Sequence, residues 1–302
     1  MVVTYNRFDL LRQVLSALQG QTRPVDRILV IDNGSTDGTR PYLEAAAEAG
    51  GLALVEAGSN LGGSGGFARG LAWASTLGAD WIWLMDDDAI PARDCLEVLL
   101  SASEGCGFVA PQVVDATGAT GPRNYPTLSS SFADHYEAAG RGLVAIVAAT
   151  FVGPLIAAPV AAGTHLPLDD FFIWHDDMEY TARLGSVSRA YAVPDAKIAH
   201  LAQNPGPAHY NGERNYYNIR NYIWWYREVR HNHTFNSARI LVALARTSAT
   251  QFNNAPKKLP YLRVVVKALA DGVAGRPAHR DVAEVVSRSR AQDALWGLPD
   301  GN

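Results

Sequence analysis

Residues 1–85 alternate short apolar runs with segments of helical spacing, and this alternation constrains the fold more than any other feature. Val2-Val3-Thr4 reads as the end of a strand, so the natural start could lie a few residues upstream. Leu10, Leu11, Val14, Leu15 and Leu18 then recur at helical spacing. Arg27-Ile28-Leu29-Val30-Ile31 is a continuous apolar strand ending at Asp32. A turn with helix-start chemistry follows at 33–39, and Pro41 suits the first turn of a helix that stops at Gly50-Gly51. Leu52-Ala53-Leu54-Val55 is the next strand, 65–77 the next helix, and Asp80-Trp81-Ile82-Trp83-Leu84-Met85 a buried strand. Such alternation implies an α/β fold with a mostly parallel, Rossmann-like sheet flanked by helices.

The last of these strands runs straight into Asp86-Asp87-Asp88. Three carboxylates at the mouth of an apolar strand repel one another and lose hydration. A divalent cation held by oxygen ligands is the simplest partner that offsets this. Alternation along an extended segment turns Asp86 and Asp88 to one side, and Asp87 to the other. The strand end is also where an α/β sheet offers room for a nucleotide. An exposed acidic turn is the plainer alternative.

Three further segments carry candidate chemistry. Asn60-Leu61-Gly62-Gly63-Ser64-Gly65-Gly66-Phe67 is glycine-rich at a helix start, where backbone N–H groups can approach a phosphate or sugar. Its spacing is not the dinucleotide fingerprint, and a flexible turn is the plainer reading. Trp174-His175-Asp176-Asp177-Met178-Glu179-Tyr180 holds three carboxylates that could include a general base and a ligand for an acceptor hydroxyl. The same spacing fits an acidic helix N-terminus favoured by the macrodipole. His200 follows the short apolar segment Lys197-Ile198-Ala199, a setting common for structural histidines.

The middle of the chain is less regular. Residues 115–141 read as a long loop and 143–162 as two buried strands and a turn, since Gly153, Pro154 and Pro159 argue against a membrane span. A short helix over 176–184 and two extended segments, 191–193 and 197–199, complete this part. From Arg214 onward the pattern is helical, aromatic and basic. Residues 1–213 carry 12 Lys and Arg against 24 Asp and Glu, whereas 214–302 carry 14 against 6. One region is built around a cation and the other faces something anionic. Tyr216, Tyr217, Tyr222, Trp224, Trp225 and Tyr226 interleave with Arg214, Arg220, Arg227 and Arg230. That mixture suits a membrane interface with anionic lipid heads or a helical cap on the catalytic region. No nucleic-acid recognition motif accompanies it. Cys95 and Cys106 are too few for a disulfide framework, and no signal peptide is visible; both point to the cytoplasm.

Taken in order, Val2-Val3-Thr4-Tyr5-Asn6-Arg7, the 30–39 segment, Asn60-Leu61-Gly62-Gly63 and Asp86-Asp87-Asp88 resemble the signature of family-2 inverting glycosyltransferases of the GT-A fold. The resemblance covers about residues 1–205, and the doubled glycine loop with the triple aspartate is most similar to bacterial galactofuranosyltransferases. It implies a catalytic domain over 1–205, with a nucleotide-sugar half at 1–110 and an acceptor half at 111–205, followed by a helical region at 206–302. It implies that Asp32 reads the uracil edge, with Thr4, Asn60, Gly62, Gly63 and Asp87 lining the donor site. Asp86, Asp88 and His200 would bind Mn2+ or Mg2+, with the imidazole favouring manganese. Asp177 would be the catalytic base, while Trp174, Asp176 and Glu179 would meet the acceptor; here His175 precedes the aspartate pair, unlike the usual pattern. The implied donor is UDP-galactofuranose and the implied acceptor a glycan on a polyprenyl diphosphate, reached at the inner face of the membrane. A rhamnosyltransferase using dTDP-rhamnose and a nucleotide-sugar-binding module without activity are the competing readings.

Overall fold

The computed structural model describes residues 1–121, 124–201, 210–230 and 238–298. Its first part runs β1 (Val2–Thr4), α1 (Phe8–Gln19), β2 (Leu29–Asp32), α2 (Thr39–Glu48), β3 (Ala53–Glu56) and α3 (Gly62–Ser75). Then come β4 (Trp81–Trp83), β5 (Met85–Asp86), β6 (Ala89–Pro91), α4 (Cys95–Ala102) and β7 (Phe108–Val114). The segment expected as a loop folds partly into β8 (Thr127–Leu128) and α5 (Phe132–Ala139). Two strands, β9 (Val144–Ala148) and β10 (Leu155–Ala157), lead to the short α6 (Ala158–Ala162), α7 (Asp176–Val187) and β11 (Ala190–His200). The C-terminal region consists of α8 (Asn215–Val229), α9 (Ala238–Asn254), α10 (Lys258–Ala274), α11 (Val282–Gln292) and β12 (Ala294–Trp296). The expected junction at 205/206 lies outside the described residues.

Two sheets share the core. The first has the order β12-β3-β2-β1-β5, and all its pairs are parallel except β12 with β3. Strands β2 and β3 are buried at every position, because helices cover both faces. The second sheet has the order β4-β10-β7-β11-β9-β8 and is largely antiparallel. The mostly parallel character expected for the fold therefore belongs to the first sheet.

The run 80–85, expected as one strand, is divided between them. Trp81, Ile82 and Trp83 pair with β10 in the second sheet, whereas Met85 and Asp86 pair with Val2 and Val3 in the first. Leu84 sits fully buried at the change-over. The triple aspartate thus emerges where the two sheets meet. The two extended segments before His200 are one strand, β11, with a register shift between Val193 and Lys197.

Glycines set how closely α3 lies on its neighbours. Gly62 has φ +71°, and a Cβ there would stand 2.0 Å from the Phe172 carbonyl oxygen. At Gly66 a Cβ would stand 2.4 Å from the Val3 side chain. These positions exclude side chains for packing reasons, apart from any ligand.

The chain ends by returning to the first sheet. Strand β12 pairs with β3, and α11 is tied to α3 by Trp73 Nε1 donating to Ser289 Oγ (2.9 Å) and by the Arg69–Asp293 ion pair (2.6 Å). A helical reading of the whole region after Arg214 misses this strand, which is only three residues long. Helix α8 is largely interior: Trp224, Trp225 and Arg220 are buried, and the Arg220 guanidinium stacks 4.1 Å above the Trp224 ring. Arg227 donates to the carbonyls of Gly272, Val273 and Gly275 at the end of α10. The surface of the aromatic and basic residues of 216–227 is therefore largely consumed by packing.

Candidate active site

Register brings the metal-binding candidates together across more than a hundred residues. Strand β6 follows the triple aspartate and pairs antiparallel with β11, with Ala89 opposite His200. This sets His200 Nε2 3.1 Å from Asp88 Oδ1. One ligand atom each from Asp86, Asp88 and His200 lies within 4.8 Å of the others. Two carboxylate oxygens and an imidazole nitrogen form a donor set that fits a divalent transition ion.

The charge at this strand end is heavily strained. Burial, with repulsion from Asp88, Asp87, Asp177 and Asp176, raises the Asp86 carboxyl well above the usual range. Asp87 is pushed up to about 6 by burial, opposed by Arg7. It is held by Thr4 Oγ1 (2.9 Å) and the Tyr5 backbone N–H (3.1 Å). Asp88 behaves differently. Burial works against its ionisation, but hydrogen bonding with His200 and the Arg7 guanidinium outweigh it and lower its pKa. Arg7 pairs directly with Asp88 and lies 3.5 Å from Asp87. Its side chain is 44% exposed, so this cation is at the rim. The sequence reading did not single out Arg7.

The second acidic cluster opens α7. Phe172, Trp174 and His175 all have positive φ (65°, 68° and 71°), three left-handed positions within four residues that each cost energy at a non-glycine residue. Helix α8 holds it in place. The amide nitrogen of buried Asn221 lies within 3.0 Å of the carbonyls of Phe171, Ile173 and Trp174. Arg220 donates to the carbonyls of Asp170 and Phe171. Asn218 Oδ1 is 2.7 Å from His175 Nε2, and burial lowers the His175 pKa to about 4. Asn215, Asn218 and Asn221 recur every third residue on an otherwise aromatic helix; that amide stripe is the signal by which sequence reading could have found them.

Placement within this cluster is uneven. Asp176 is buried, and burial beside Asp177 and Glu179 pushes its carboxyl up to about 8. Asp177 is half-buried, and its Oδ1 accepts from the Met178 N–H. Repulsion from both aspartates is among the causes that raise the Asp86 carboxyl, so the two acidic clusters lie within electrostatic reach of each other. Glu179 is not part of that group. It is fully buried, and both its oxygens pair with Arg183 at 2.6 and 2.9 Å. Its expected contact with an acceptor has no free oxygen to support it. Trp174 is half-buried on the left-handed segment.

Donor-side candidates cluster at the ends of the first sheet. Thr4 and Asp32 end the neighbouring strands β1 and β2 in register. The Asp32 carboxyl is raised by burial, opposed by Ser35, whose N–H and hydroxyl it accepts. Asn60 Oδ1 accepts from the Gly62 N–H (2.8 Å), shaping the loop. Gly63, by contrast, faces open space.

The profile of glycosyl transferase family 2 matches residues 1–154. The chain belongs to glycosyl transferase family 2. It is 36% identical over 194 residues to galactofuranosyltransferase GlfT1 of Mycobacterium tuberculosis, a match covering 61% of this chain and 63% of that protein. The chain thus spans less than two thirds of the length of this relative. Among solved structures, S. aureus TarS 1–349 in complex with UDP-GlcNAc superposes with a TM-score of 0.59 at 14% identity, covering 90% of this chain and 79% of that one. The mannosyltransferase PcManGT of Pyrobaculum calidifontis, solved with GDP-Man and Mn2+, gives 0.56 at 20% identity, covering 96% and 78%. These likenesses establish the GT-A fold, with a helical C-terminal region.

Proposed function

We propose that this protein is an inverting galactofuranosyltransferase that moves galactofuranose from a UDP donor to a hydroxyl of a glycan. The convergence of Asp86, Asp88 and His200 with Asp176 and Asp177 carries this reading; the sugar rests on the likeness to GlfT1. Asp86, Asp88 and His200 would hold Mn2+ or Mg2+, which when bound neutralises charge developing on the leaving diphosphate. Thr4, Asp32, Asn60, Gly62 and Gly63 line the nucleoside and phosphate side, and Asp87 braces the ends of β1 and β5.

Asp177 accepts the proton of the attacking hydroxyl. The neighbouring Asp176 is buried and its carboxyl is pushed up to about 8, so it keeps its proton near neutral pH and leaves the half-buried Asp177 to act as the base. With the base separate from the diphosphate-binding residues, one displacement suffices and the anomeric configuration inverts. No covalent nucleophile is needed. Trp174, carried on the left-handed segment beside the base, lines the acceptor side. Residues 1–110 act as the donor half and 111–205 as the acceptor half, with 206–302 as cap. The acceptor glycan is carried on a polyprenyl diphosphate, and the protein works at the inner membrane face.

The test is a donor screen with manganese and lipid-linked glycan acceptors, scored by nucleoside diphosphate release. UDP release from UDP-galactofuranose supports the reading. Preference for dTDP-rhamnose would replace the sugar, and UDP binding with no release under any acceptor would make the protein a binding module.

A further inference from the structure

Helix α10 carries two apolar stripes. Tyr261, Ala268 and Gly272 are buried, and the Gly272 position lies so close to Ile223 of α8 that a Cβ would stand 2.7 Å from its side chain. The second stripe is Leu259, Leu262, Val266, Leu269 and Val273, spaced alternately three and four residues apart and lying about a third of a turn away. These five are 62%, 45%, 66%, 39% and 62% exposed. On α9, Leu241 and Val242 add 45% and 59%. Single exposed apolar residues need no explanation, but a continuous stripe along a whole helix marks a contact surface.

Charge selects the occupant. Segment 238–274 carries Arg239, Arg246, Lys257, Lys258, Arg263 and Lys267 against the single carboxylate Asp271, which Lys267 already pairs at 2.6 Å. A second copy meeting this face symmetrically would set like charge against like. An anionic bilayer surface would attract it. No described helix is long and apolar enough to cross a membrane. A 17-residue amphipathic helix with a basic rim suits the interface plane, with Arg263 able to reach the headgroups while Lys258 donates to the carbonyls of Phe252, Asn253 and Ala255 at the end of α9.

We propose that the exposed face of α9 and α10 seats this protein on the surface of an anionic lipid bilayer. The surface differs from the aromatic helix α8 that composition alone favours, because α8 is occupied by packing. Helix α8 lies between the bilayer-facing α10 and the site, and its Asn218 and Asn221 hold the segment that opens α7. The inference deepens the proposed function and rests on its reading of a lipid-borne acceptor.

Co-sedimentation with vesicles tests it on the full chain. Wild-type protein should bind phosphatidylglycerol–phosphatidylcholine vesicles at low salt and lose roughly tenfold in affinity at high salt. Pure phosphatidylcholine should bind far more weakly. Leu262→Ser with Val266→Ser should weaken binding by roughly tenfold or more, since two apolar contacts with the acyl boundary are lost. Because both positions are exposed, the melting temperature and UDP release with a water-soluble acceptor should match wild type. Absence of wild-type binding to anionic vesicles at low salt overturns the proposal. So does equal binding by the double variant, or self-association that the double variant abolishes while vesicles are ignored. UDP release is read separately, so a failed transferase reading and a failed docking surface give different results.

Discussion

At the end of β5, the carboxylates of Asp86, Asp87 and Asp88 meet positive or hydrogen-bonding partners delivered from distant parts of the chain, Arg7 and His200. At the start of α7, Asp176, Asp177 and Glu179 ride one helical turn, and Glu179 finds its cation on the same helix in Arg183. The first cluster is left with more negative charge than its protein partners neutralise, and its nearest cation is half-exposed. The second is fixed internally, by left-handed backbone positions clamped from α8 and by a buried ion pair. Similar composition therefore serves two ends. One cluster has surplus negative charge and a donor set that fits a cation, and the other holds a carboxylate in a set position.

Breaking the first cluster should have the largest effect. Asp88→Ala, or removal of divalent ions by a chelator, should abolish measurable UDP release, since loss of charge neutralisation at the leaving group costs several kcal/mol. Residual metal-independent turnover near wild type would sink the assignment. Next comes the second cluster: Asp177→Asn should lower kcat by roughly two to four orders of magnitude with donor affinity almost unchanged. A rise in donor Kd with normal kcat would move Asp177 from base to binding residue.

Smaller effects sharpen the contrast in how each cluster is held. Asn221→Ala removes the amide shared among three carbonyls and should cost about 2–3 kcal/mol in denaturant unfolding, at about 1 kcal/mol for each lost hydrogen bond. It should also lower kcat, because the left-handed segment before Asp177 loses its clamp; unaltered turnover would show that the clamp is only structural. Glu179→Gln should reduce stability and leave the turnover of folded protein near wild type. A selective loss of acceptor affinity would restore Glu179 to the acceptor site.

The smallest expected effect is in pH. Asp176 has a folded pKa raised to about 8 from 3.8, so the folded state binds more protons and stability falls as pH rises between those values. His175 acts in the opposite sense but only up to its ordinary value of 6.5, since its folded pKa is lowered to about 4. Asp87, at about 6, has largely titrated by then. Between pH 6.5 and 8 the Asp176 contribution therefore declines, while the buried Met1 amino group, lowered from 8.0 to about 5, acts in the opposite sense. The melting temperature of Asp176→Asn should accordingly rise relative to wild type across this window. An unchanged slope in the variant would show that Asp176 does not keep its proton.

Much of this was legible in the chain itself. The alternation over residues 1–85 specifies helices and strands because burial on one face or both leaves a local periodic record. The acidic strand end, the glycine loop and the start of α7 were equally readable, since each depends on residues adjacent in sequence. What periodicity does not carry is which strand pairs with which. The division of 81–86 between two sheets, and the Ala89–His200 register that brings an imidazole to Asp88, come from long-range pairing.

Sequence alone determined the family, the α/β class and the residue types of the site, because those reside in local pattern and motif order. Tertiary structure alone decided that Glu179 is sealed against Arg183, that Arg7 pairs with Asp88 and Asn221 holds the segment before α7, and that α8 is largely interior while one face of α10 is exposed. The physical reason is that helices α8 and α10 both have apolar faces, and composition does not say which of those faces finds a partner. Only packing removes one from solvent and leaves the other facing it.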